Sequence, residues 1–375
     1  MQPPGPHPPA VPGHIDNPVT VLSLPSEILA EIFKAYLPPY PACADIKQAS
    51  KSPLGLGQIC RQWRQIAWST PSLWRAVYIR GHVQNPDTWA DLLRAYLDRS
   101  GACGLSIQLF VSIDDPSVLT NSRKTIGLLD AFLPYRARWE YLSLDVNAAS
   151  CALFDGPMPM LKGIELVGWD HDEAMLYPSL PSFSEAPMLC SMSLWDIDLG
   201  AVTSPTWNQL TAVHLTETNE QCIPFLQQTP NLRYLCLSFD SREMISTTDQ
   251  AQAVHLPHCL ETLALKSATR MQRQDDDDWT LEMFVVPTRN LRRLQIDARF
   301  LRTMDTIPQI GSFCEHSRCR IAEMRVMNFE RRFGFDATGE WRWMQDVVES
   351  CEIVKDGEEK DEWEAEAIPF ATRMY

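Results

Sequence analysis

The chain has 375 residues, a formal net charge of -15 and an apolar fraction of 45%. That composition is ordinary for a folded protein, and the length leaves room for two or three domains. The acidic balance argues against a protein that binds nucleic acid or an anionic membrane, since both partners need basic surface. No window approaches the roughly eighteen consecutive apolar residues of a membrane span, so we expect no membrane partner.

Residues 1–20 are rich in proline and lack the basic start and apolar run of a secretory signal peptide. We predict a disordered leader over this segment; a proline-motif ligand for an SH3-type domain is the alternative. Without secretion, the 11 scattered cysteines are expected to be reduced residues rather than a disulfide framework. A cytoplasmic or nuclear location follows from this interpretation.

The stretch "LPSEILAEIF" has the apolar spacing of a short helix with one broad hydrophobic face. It predicts a helix over residues 24–36, which Pro38 and Pro39 end. A polar insertion then reaches about residue 52, a second helix is predicted over about 54–68, and "STPSLW" reads as a capped single turn. Short helices are marginal alone in water, so the apolar face must pack on its own chain, on another protein, or on both.

A further helix is predicted over residues 86–99, with Pro86 at its first position and Gly101 as the left-handed residue that ends it. The alternating run "LSIQLF" predicts a strand over residues 105–110.

After residue 138 the chain repeats a hexamer of the form apolar-x-x-apolar-x-apolar, from "WEYLSL" to "LRRLQI". The copies begin at Trp139, Leu161, Leu189, Leu210, Leu232, Leu260 and Leu291. Their intervals of roughly 21 to 31 residues are in the range of leucine-rich repeats. We predict an α/β fold in which residues 81–345 form an irregular leucine-rich-repeat solenoid with a parallel sheet. An ordinary α/β protein with strands separated by helices is the alternative.

The two N-terminal helical segments and the turn after them contain a set of residues in a characteristic order. These residues are Leu24, Pro25, Glu27, Ile28, Leu29, Ile32, Phe33, Ile59, Cys60, Arg61, Trp63, Arg64, Leu73 and Trp74. They resemble the motif of an F-box, although the insertion before residue 52 is longer than the usual loop of that family. Over residues 24–296 the layout resembles the large group of F-box proteins with degenerate leucine-rich repeats in mushroom-forming fungi.

The resemblance implies a three-helix F-box domain over residues 21–80. F-box proteins dock on the Skp adaptor subunit of a cullin-RING ubiquitin ligase, so it implies a substrate-recognition adaptor of the SCF type that performs no enzymatic step. The implied Skp-binding residues are Leu24, Pro25, Ile28, Leu29, Ile32 and Phe33. The alternative is a leucine-rich-repeat scaffold that is not engaged with a ubiquitin ligase.

The repeats predict a surface for a protein target, whose identity the sequence leaves open. In such a solenoid, the residue between the two inward apolar residues of each strand lines the concave sheet face. Those residues are Ser143, Glu165, Ser193, His214, Cys236, Ala264 and Gln295, and the residues just past the strands extend the face. The predicted target-binding residues are Trp195, His214, Phe239 and Asp240, since aromatic rings beside polar groups are typical of interfaces. Ordinary exposed residues are the alternative.

The sequence has no GxSxG elbow and no phosphate-cradling glycine loop, so no catalytic site is predicted. "CEHSRC" (Cys314 to Cys319) and "WDHDEA" (residues 169–174) contain metal-ligand residue types. A zinc site would need a second pair of ligands, and acidic loops are more often solvated, so we expect no metal and no cofactor. Residues 346–375 are predicted to be an acidic tail, either a final helix with a solvated face or a disordered segment.

Overall fold

The structure is a computed structural model. It describes residues 21–48, 51–81, 86–111, 128–146, 154, 156–168, 178–200, 203–216, 222–239, 254–267, 281, 284–285, 290–300, 306–328, 348–354 and 362–370. This part of the chain is a mixed α/β protein in which a helical N-terminal region precedes a large parallel sheet.

Helices form the N-terminal region and recur along the sheet. They are α1 (Ser26–Tyr36), α2 (Pro53–Ile59), α3 (Arg61–Ser69), α4 (Pro86–Arg99), α5 (Cys222–Gln227), α6 (Thr306–Ser317) and α7 (Glu362–Ala367). The predicted helix over residues 86–99 is confirmed as α4. Gly101 follows it with a φ of +58°, in the left-handed region that glycine adopts without strain.

The helix predicted over residues 54–68 is two helices, α2 and α3. Cys60 interrupts them with an extended backbone, and its Sγ accepts a hydrogen bond from the backbone N–H of Trp63 at 3.4 Å. This side chain therefore caps the start of α3, which an uninterrupted helix would not need. The predicted turn follows as Pro71–Leu73 with Pro71 at its start, but the predicted cap is absent, because the Ser69 and Thr70 hydroxyls donate to the carbonyl of Ile66 instead.

One sheet of 12 strands contains all of the described strands except β9 and β11, which pair with each other. The strands are β1 (Ala44–Asp45), β2 (Ala76–Arg80), β3 (Leu105–Phe110), β4 (Trp139–Val146), β5 (Gly163–Gly168), β6 (Ser191–Trp195), β7 (Ala212–Thr216), β8 (Tyr234–Phe239), β9 (Val254–His255), β10 (Thr262–Ser267), β11 (Phe284–Val285), β12 (Arg293–Asp297), β13 (Glu323–Met327) and β14 (Ser350–Ile353). In the sheet they lie in chain order and neighbours are parallel, with β1 and β14 at its two open edges.

Each predicted hexamer contains one strand of this sheet, so the prediction of parallel strands is confirmed. The register places equivalent apolar residues side by side, as Leu235, Leu263 and Leu294 illustrate. Two further strands have the same pattern but were not predicted: "IAEMRV" overlaps β13 and "VESCEI" contains β14.

Strand β14 lies within the segment that was predicted to be an acidic tail. Cys351 pairs in register with Met324 of β13, so the sheet continues beyond the predicted boundary at residue 345. The acidic residues around this strand hid its apolar spacing.

The two faces of the sheet differ in character. The paired apolar residues of each hexamer point into the main hydrophobic core, where Leu142, Leu235 and Leu294 have no exposed surface. Because side chains alternate along a strand, the residue between each apolar pair points the other way, to what we call the second face. Its central row, aligned across the strands by the register, is Gln108, Ser143, Glu165, Ser193, His214, Cys236, Ala264, Gln295 and Arg325.

The main core is continuous from the N-terminal helices into the sheet. Leu29, Phe33 and Trp74 belong to the same buried cluster as Val77 and Ile79 of β2. The domain boundary predicted at residue 80 therefore lies within one packed unit.

The insertion after α1 attaches the helical region to the sheet. Its strand β1 pairs with β2 and forms the edge of the sheet. Tyr40 Oη donates a hydrogen bond to Glu140 Oε2 at 2.6 Å, and the Arg75 guanidinium lies 3.7 Å from the centroid of the Tyr40 ring. Ser106 Oγ donates to the carbonyl of Pro41 at 2.7 Å. These contacts fix the orientation of the N-terminal helices relative to the sheet.

Leu235 lies near the middle of the sheet on its core side. Leu235→Ala is expected to lower the free energy of unfolding by about 2–5 kcal/mol, because it removes buried methyl groups and leaves a cavity. Arg233→Ala removes only an exposed ion pair with Glu261 and should change the free energy of unfolding by less than about 1 kcal/mol. Chemical denaturation measures both values, and equal effects would contradict the assignment of the core face.

Candidate functional site

The first candidate surface lies on the N-terminal helices, whose aromatic residues fix how they pack. The Phe33 ring of α1 lies 4.8 Å from the Trp63 ring of α3, measured between centroids. Trp74 donates its indole N–H to the carbonyl of Ala67 at 2.7 Å. These contacts join α1, α3 and the following turn, and so decide which side of α1 faces outward.

Part of the apolar face of α1 is exposed. Ile28 and Ile32 are 49% and 43% exposed, Pro25 is exposed, and Leu24 is half-buried. These four predicted docking residues are accessible to a partner in this structure.

The other part of that face is buried. Leu29 and Phe33 have 0% and 1% of their surface exposed and belong to the main core. They lie four residues apart, on the side of α1 that packs against the rest of the chain. Leu29 is therefore corrected from a docking residue to a core residue, whereas Phe33 forms part of the floor of the adjoining groove.

A groove of about 530 Å³ adjoins the exposed side of α1. It is lined by Ile32, Phe33, Tyr36, Gly55, Leu56, Gln58, Ile59 and Trp63. Tyr36 and Ile59 are 55% and 61% exposed, and neither was among the predicted docking residues. Ile59 is the last residue of α2 and is exposed where that helix ends at Cys60. An apolar residue just before a helix break was the available signal.

The second candidate surface is the second face of the sheet, where the predicted target-binding residues were sought. Residues 362–370, which we call the strap, lie across it. Trp363, Ile368 and Phe370 are 6%, 1% and 2% exposed and form with Tyr234 and Cys236 a cluster distinct from the main core. The face predicted to be a concave surface is covered. The helix of the predicted tail packs on it through Trp363 and keeps a solvated face with Glu362 and Glu366.

Two of the predicted target-binding residues lie together on this face. The ring centroids of Trp195 and His214 are 5.2 Å apart, and the Trp195 indole N–H donates to Ser193 Oγ at 3.0 Å. Trp195 is half-buried, whereas His214 is 3% exposed because the strap covers it.

The other two predicted residues do not join them. Phe239 is 4% exposed, and its ring lies 5.5 Å from that of Phe300 in the main core. It follows Leu237 by two residues on the same strand, so it points to the core side as Leu237 does. Phe239 is therefore corrected to a core residue, and Asp240 lies outside the described residues.

Glu364 is at the centre of the contacts between strap and sheet. Its Oε1 lies 2.5 Å from His214 Nδ1, and its Oε2 lies 2.9 Å from Lys266 Nζ. Burial alone would raise the pKa of Glu364, but these two cations hold it well below its usual range. Burial would also lower the pKa of His214, yet its electrostatic and hydrogen-bond interactions with Cys236 and Glu364 outweigh burial and raise that pKa to about 10. The pair is therefore ionised at neutral pH.

Two arginines contact the first half of the strap. Arg325 Nη2 lies 3.1 Å from Glu362 Oε2, and Arg293 Nη1 lies 3.0 Å from Glu366 Oε2. Both guanidinium groups also lie over the Trp363 ring, at 4.0 Å and 5.5 Å from its centroid. Glu362 and Glu366 are largely exposed, so their ion pairs contribute little, and the cation–π contacts with a buried ring contribute more.

Phe370 fixes the other end of the strap. Gln108 Nε2 donates to its carbonyl at 2.9 Å, and its ring lies 5.4 Å from that of Tyr141. The ring sits directly above Gly163, where an added Cβ would lie 2.1 Å from Phe370 Cε1. Glycine at this position leaves the space that the aromatic ring fills.

The sites considered for metals have ordinary surroundings where they are described. In "CEHSRC", His316 is exposed on α6 and its Nδ1 lies 2.7 Å from the carbonyl of Ser312. Within the described ranges, every cysteine is a free thiol and no group of three potential ligands could hold a metal ion. "WDHDEA" lies outside those ranges. The described residues also include no helix that is long and apolar enough to cross a membrane.

Comparison with known proteins bears on the first of the two surfaces. The F-box-like family matches residues 21–80, which comprise α1, the insertion, α2, α3 and β2. No curated protein matches the chain. F-box domains are typically adaptor modules that bind the Skp subunit of cullin-RING ligases. The exposed groove thus belongs to an F-box-like domain, which points to a role in ubiquitin-ligase substrate recognition.

Proposed function

We propose that the protein is a substrate-recognition adaptor of an SCF-type ubiquitin ligase, in which the F-box-like domain docks on the Skp adaptor subunit and the sheet domain binds a protein target. The observation that carries the proposal is the apolar groove of Ile32, Tyr36 and Ile59 within the matched residues 21–80. On this proposal the chain performs no bond chemistry. It raises the local concentration of the target near the ligase.

The groove has the properties of a site for a partner helix. Its accessible residues are apolar apart from Gln58, and its floor is formed by residues of the packed core. Amphipathic helices bind grooves of this kind, and burial of each isoleucine would contribute about 1.5–3 kcal/mol. Pro25 and Ile28 extend the same exposed side of α1 toward its start.

The attachment of the box to the sheet supports the adaptor role. A rigid attachment suits an adaptor, because it adds a defined orientation of the target to the gain in local concentration that tethering provides. The pairing of β1 with β2, the Tyr40–Glu140 hydrogen bond and the continuous core provide that rigid connection.

We also propose that the sheet consists of degenerate leucine-rich repeats. The support is the recurrence of one hexamer in strands that lie in chain order and in register. The relation to fungal F-box proteins stays a prediction, as do the cytoplasmic or nuclear location and the absence of nucleic-acid, membrane and cofactor partners.

A scaffold that is not engaged with a ligase is the second candidate. The observation that favours it is the membership of Leu29, Phe33 and Trp74 in the main core, which gives these box residues a role in folding the whole chain. Binding to the Skp subunit separates the two candidates.

The double substitution Ile32→Asp and Ile59→Asp is expected to weaken binding to a recombinant fungal Skp subunit by about 100-fold or more. It removes two apolar contacts and forces two carboxylates to lose water on binding. Isothermal titration calorimetry measures the affinity. Both side chains are exposed, so the free energy of unfolding should change by less than about 1 kcal/mol.

Met188→Asp is the matched control, because Met188 is also an exposed apolar residue, at 50%, but lies between β5 and β6. This variant should bind the Skp subunit as the wild type does. A wild-type chain that fails to bind would favour the scaffold. A double variant that binds with wild-type affinity would contradict the assignment of the groove.

A further inference from the structure

The strap and the second face are complementary in charge. Although the whole chain has a net charge of -15, four cationic side chains contact the strap from the sheet: His214, Lys266, Arg293 and Arg325. Their partners on the strap are Glu362, Glu364 and Glu366, which lie at alternate positions. Arg293 and Arg325 also lie 3.6 Å and 3.4 Å from carboxylates of the neighbouring strands, Glu323 and Glu352 respectively. The net negative charge of the protein repels acidic segments in general, whereas these four cations attract an acidic segment locally. Such a strip therefore favours acidic partners that fit it.

The second face has the composition of a binding surface rather than of an interior. The core side of the same strands is built from leucine, isoleucine and valine, whereas the central row of the second face is mostly serine, glutamine and charged residues. Polar groups are costly to bury unless each finds a partner. The strap provides partners for Gln108, His214 and Lys266, so it occupies the face as a bound peptide would.

Two buried aromatic side chains of the strap fix its position on the second face. Trp363 is held between arginine guanidinium groups and the small residues of the central strands. Phe370 fills the space above Gly163 beside Tyr141. Buried aromatic residues flanked by ion pairs are the usual anchors of a protein–peptide interface.

The strap has little means of remaining ordered without the face. Its helix, α7, has six residues, well below the length at which isolated helices are stable in water. Residues 354–361 separate it from β14, which is the last of the described strands in the sheet. Such a short tether gives the strap a high effective concentration, roughly in the millimolar range, so that a weak intrinsic affinity suffices.

We propose that the second face is a binding site for an acidic segment containing a tryptophan beside a glutamate, and that the strap occupies this site in cis until a protein segment of the same chemistry displaces it. The role of that segment as the target of a ligase rests on the function proposed above. The binding of the segment does not.

The test uses the full-length chain and a fluorescent synthetic peptide, EWEAEAIPF, with both ends capped. In the chain with Trp363→Ala and Glu364→Gln, the strap loses an anchor and its central carboxylate, so the peptide meets less competition. This weakened-strap chain is expected to bind the peptide at least tenfold more tightly than the wild type in fluorescence anisotropy. Ala365→Gln alters an exposed residue of α7 and should leave the affinity at the wild-type value.

The specificity of the site is tested from both sides. Adding Lys266→Ala to the weakened-strap chain should lower the affinity at least tenfold, as should peptide EWQAEAIPF, which lacks the central carboxylate. Peptide binding no tighter than in the wild type would overturn the proposal. So would loss of amide protection in β7 and β8 of the weakened-strap chain, because the strap would then be an integral part of the fold. The Ile32→Asp/Ile59→Asp chain should bind the peptide as the wild type does, which separates this test from Skp binding.

Gly163→Ala provides an independent variant on the sheet. Its methyl group would occupy the space of the Phe370 ring, so hydrogen exchange within residues 362–370 should become at least tenfold faster. The added peptide carries the same phenylalanine and should still bind no more tightly than to the wild type. Peptide affinity equal to that of the weakened-strap chain would contradict the placement of this pocket.

The affinity of the peptide should also depend on pH through His214. The groups that face His214 are Glu364 from the strap, Cys236 from β8, Ser193 and Trp195 from β6, and Lys266 beyond the shared carboxylate. Cys236 and Glu364 together raise the pKa of His214 to about 10, and only Glu364 comes with the bound segment. The contribution of the His214–Glu364 pair to binding is therefore complete at acidic pH and is lost as pH rises toward 10. The weakened-strap chain should therefore bind the peptide at least tenfold more weakly at about pH 9 than at about pH 6. The same profile in a His214→Gln variant would contradict this role.

Discussion

The parallel register of the sheet is the constraint that creates the second face. Each hexamer places its last two apolar residues on one side of a strand, so the residue between them must point to the other side. Because the strands are aligned residue for residue, these intermediate residues form a row, and Ser193, His214 and Cys236 become neighbours although about 20 residues separate each from the next. A slip of one residue in any strand would exchange the polar row for leucines.

The local part of this architecture was predictable from the sequence. The hexamer contains enough apolar residues at a fixed spacing to identify strands β4 to β8, β10 and β12, and the same pattern at "IAEMRV" would have identified β13. Whether a residue lies just past a strand says less about the face it occupies than whether an even or odd number of residues separates it from a core leucine of that strand. Phe239 lies at the end of β8, but it shares the direction of Leu237, and that fact alone assigns it to the core.

The candidate docking surface was predictable only in part, because helical periodicity does not show which apolar residues the rest of the chain covers. Spacing shows which residues share a face of α1, but it does not show how much of a broad face the rest of the chain covers. Ile28 and Leu29 are adjacent in sequence, yet Ile28 is exposed and Leu29 is buried because of how α1 packs on α3. The exposure of Ile59 results from the helix break at Cys60, and the continuous apolar pattern of residues 54–68 gave no sign of that break.

The strap was beyond sequence reasoning because its contacts are long-range. Glu364 and His214 are far apart in the chain, and no local pattern links them. An acidic run such as "EEKDEWEAEA" is usually a solvated segment, since like charges repel. Trp363 and Phe370 within that run were the available indication of packing, because large aromatic residues gain most from burial.

The polar character of the second face also determines how the strap can leave it. Removing one partner from a buried ion pair is strongly unfavourable when the other stays buried. When the whole strap departs, however, His214, Lys266 and Glu364 all regain water, because the strap itself is what excludes it. The leucines of the main core have no comparable alternative, so their exposure carries the full hydrophobic penalty. Release of the strap is therefore separable from unfolding, and any protein segment that binds this face must exceed the affinity of the strap at its high local concentration.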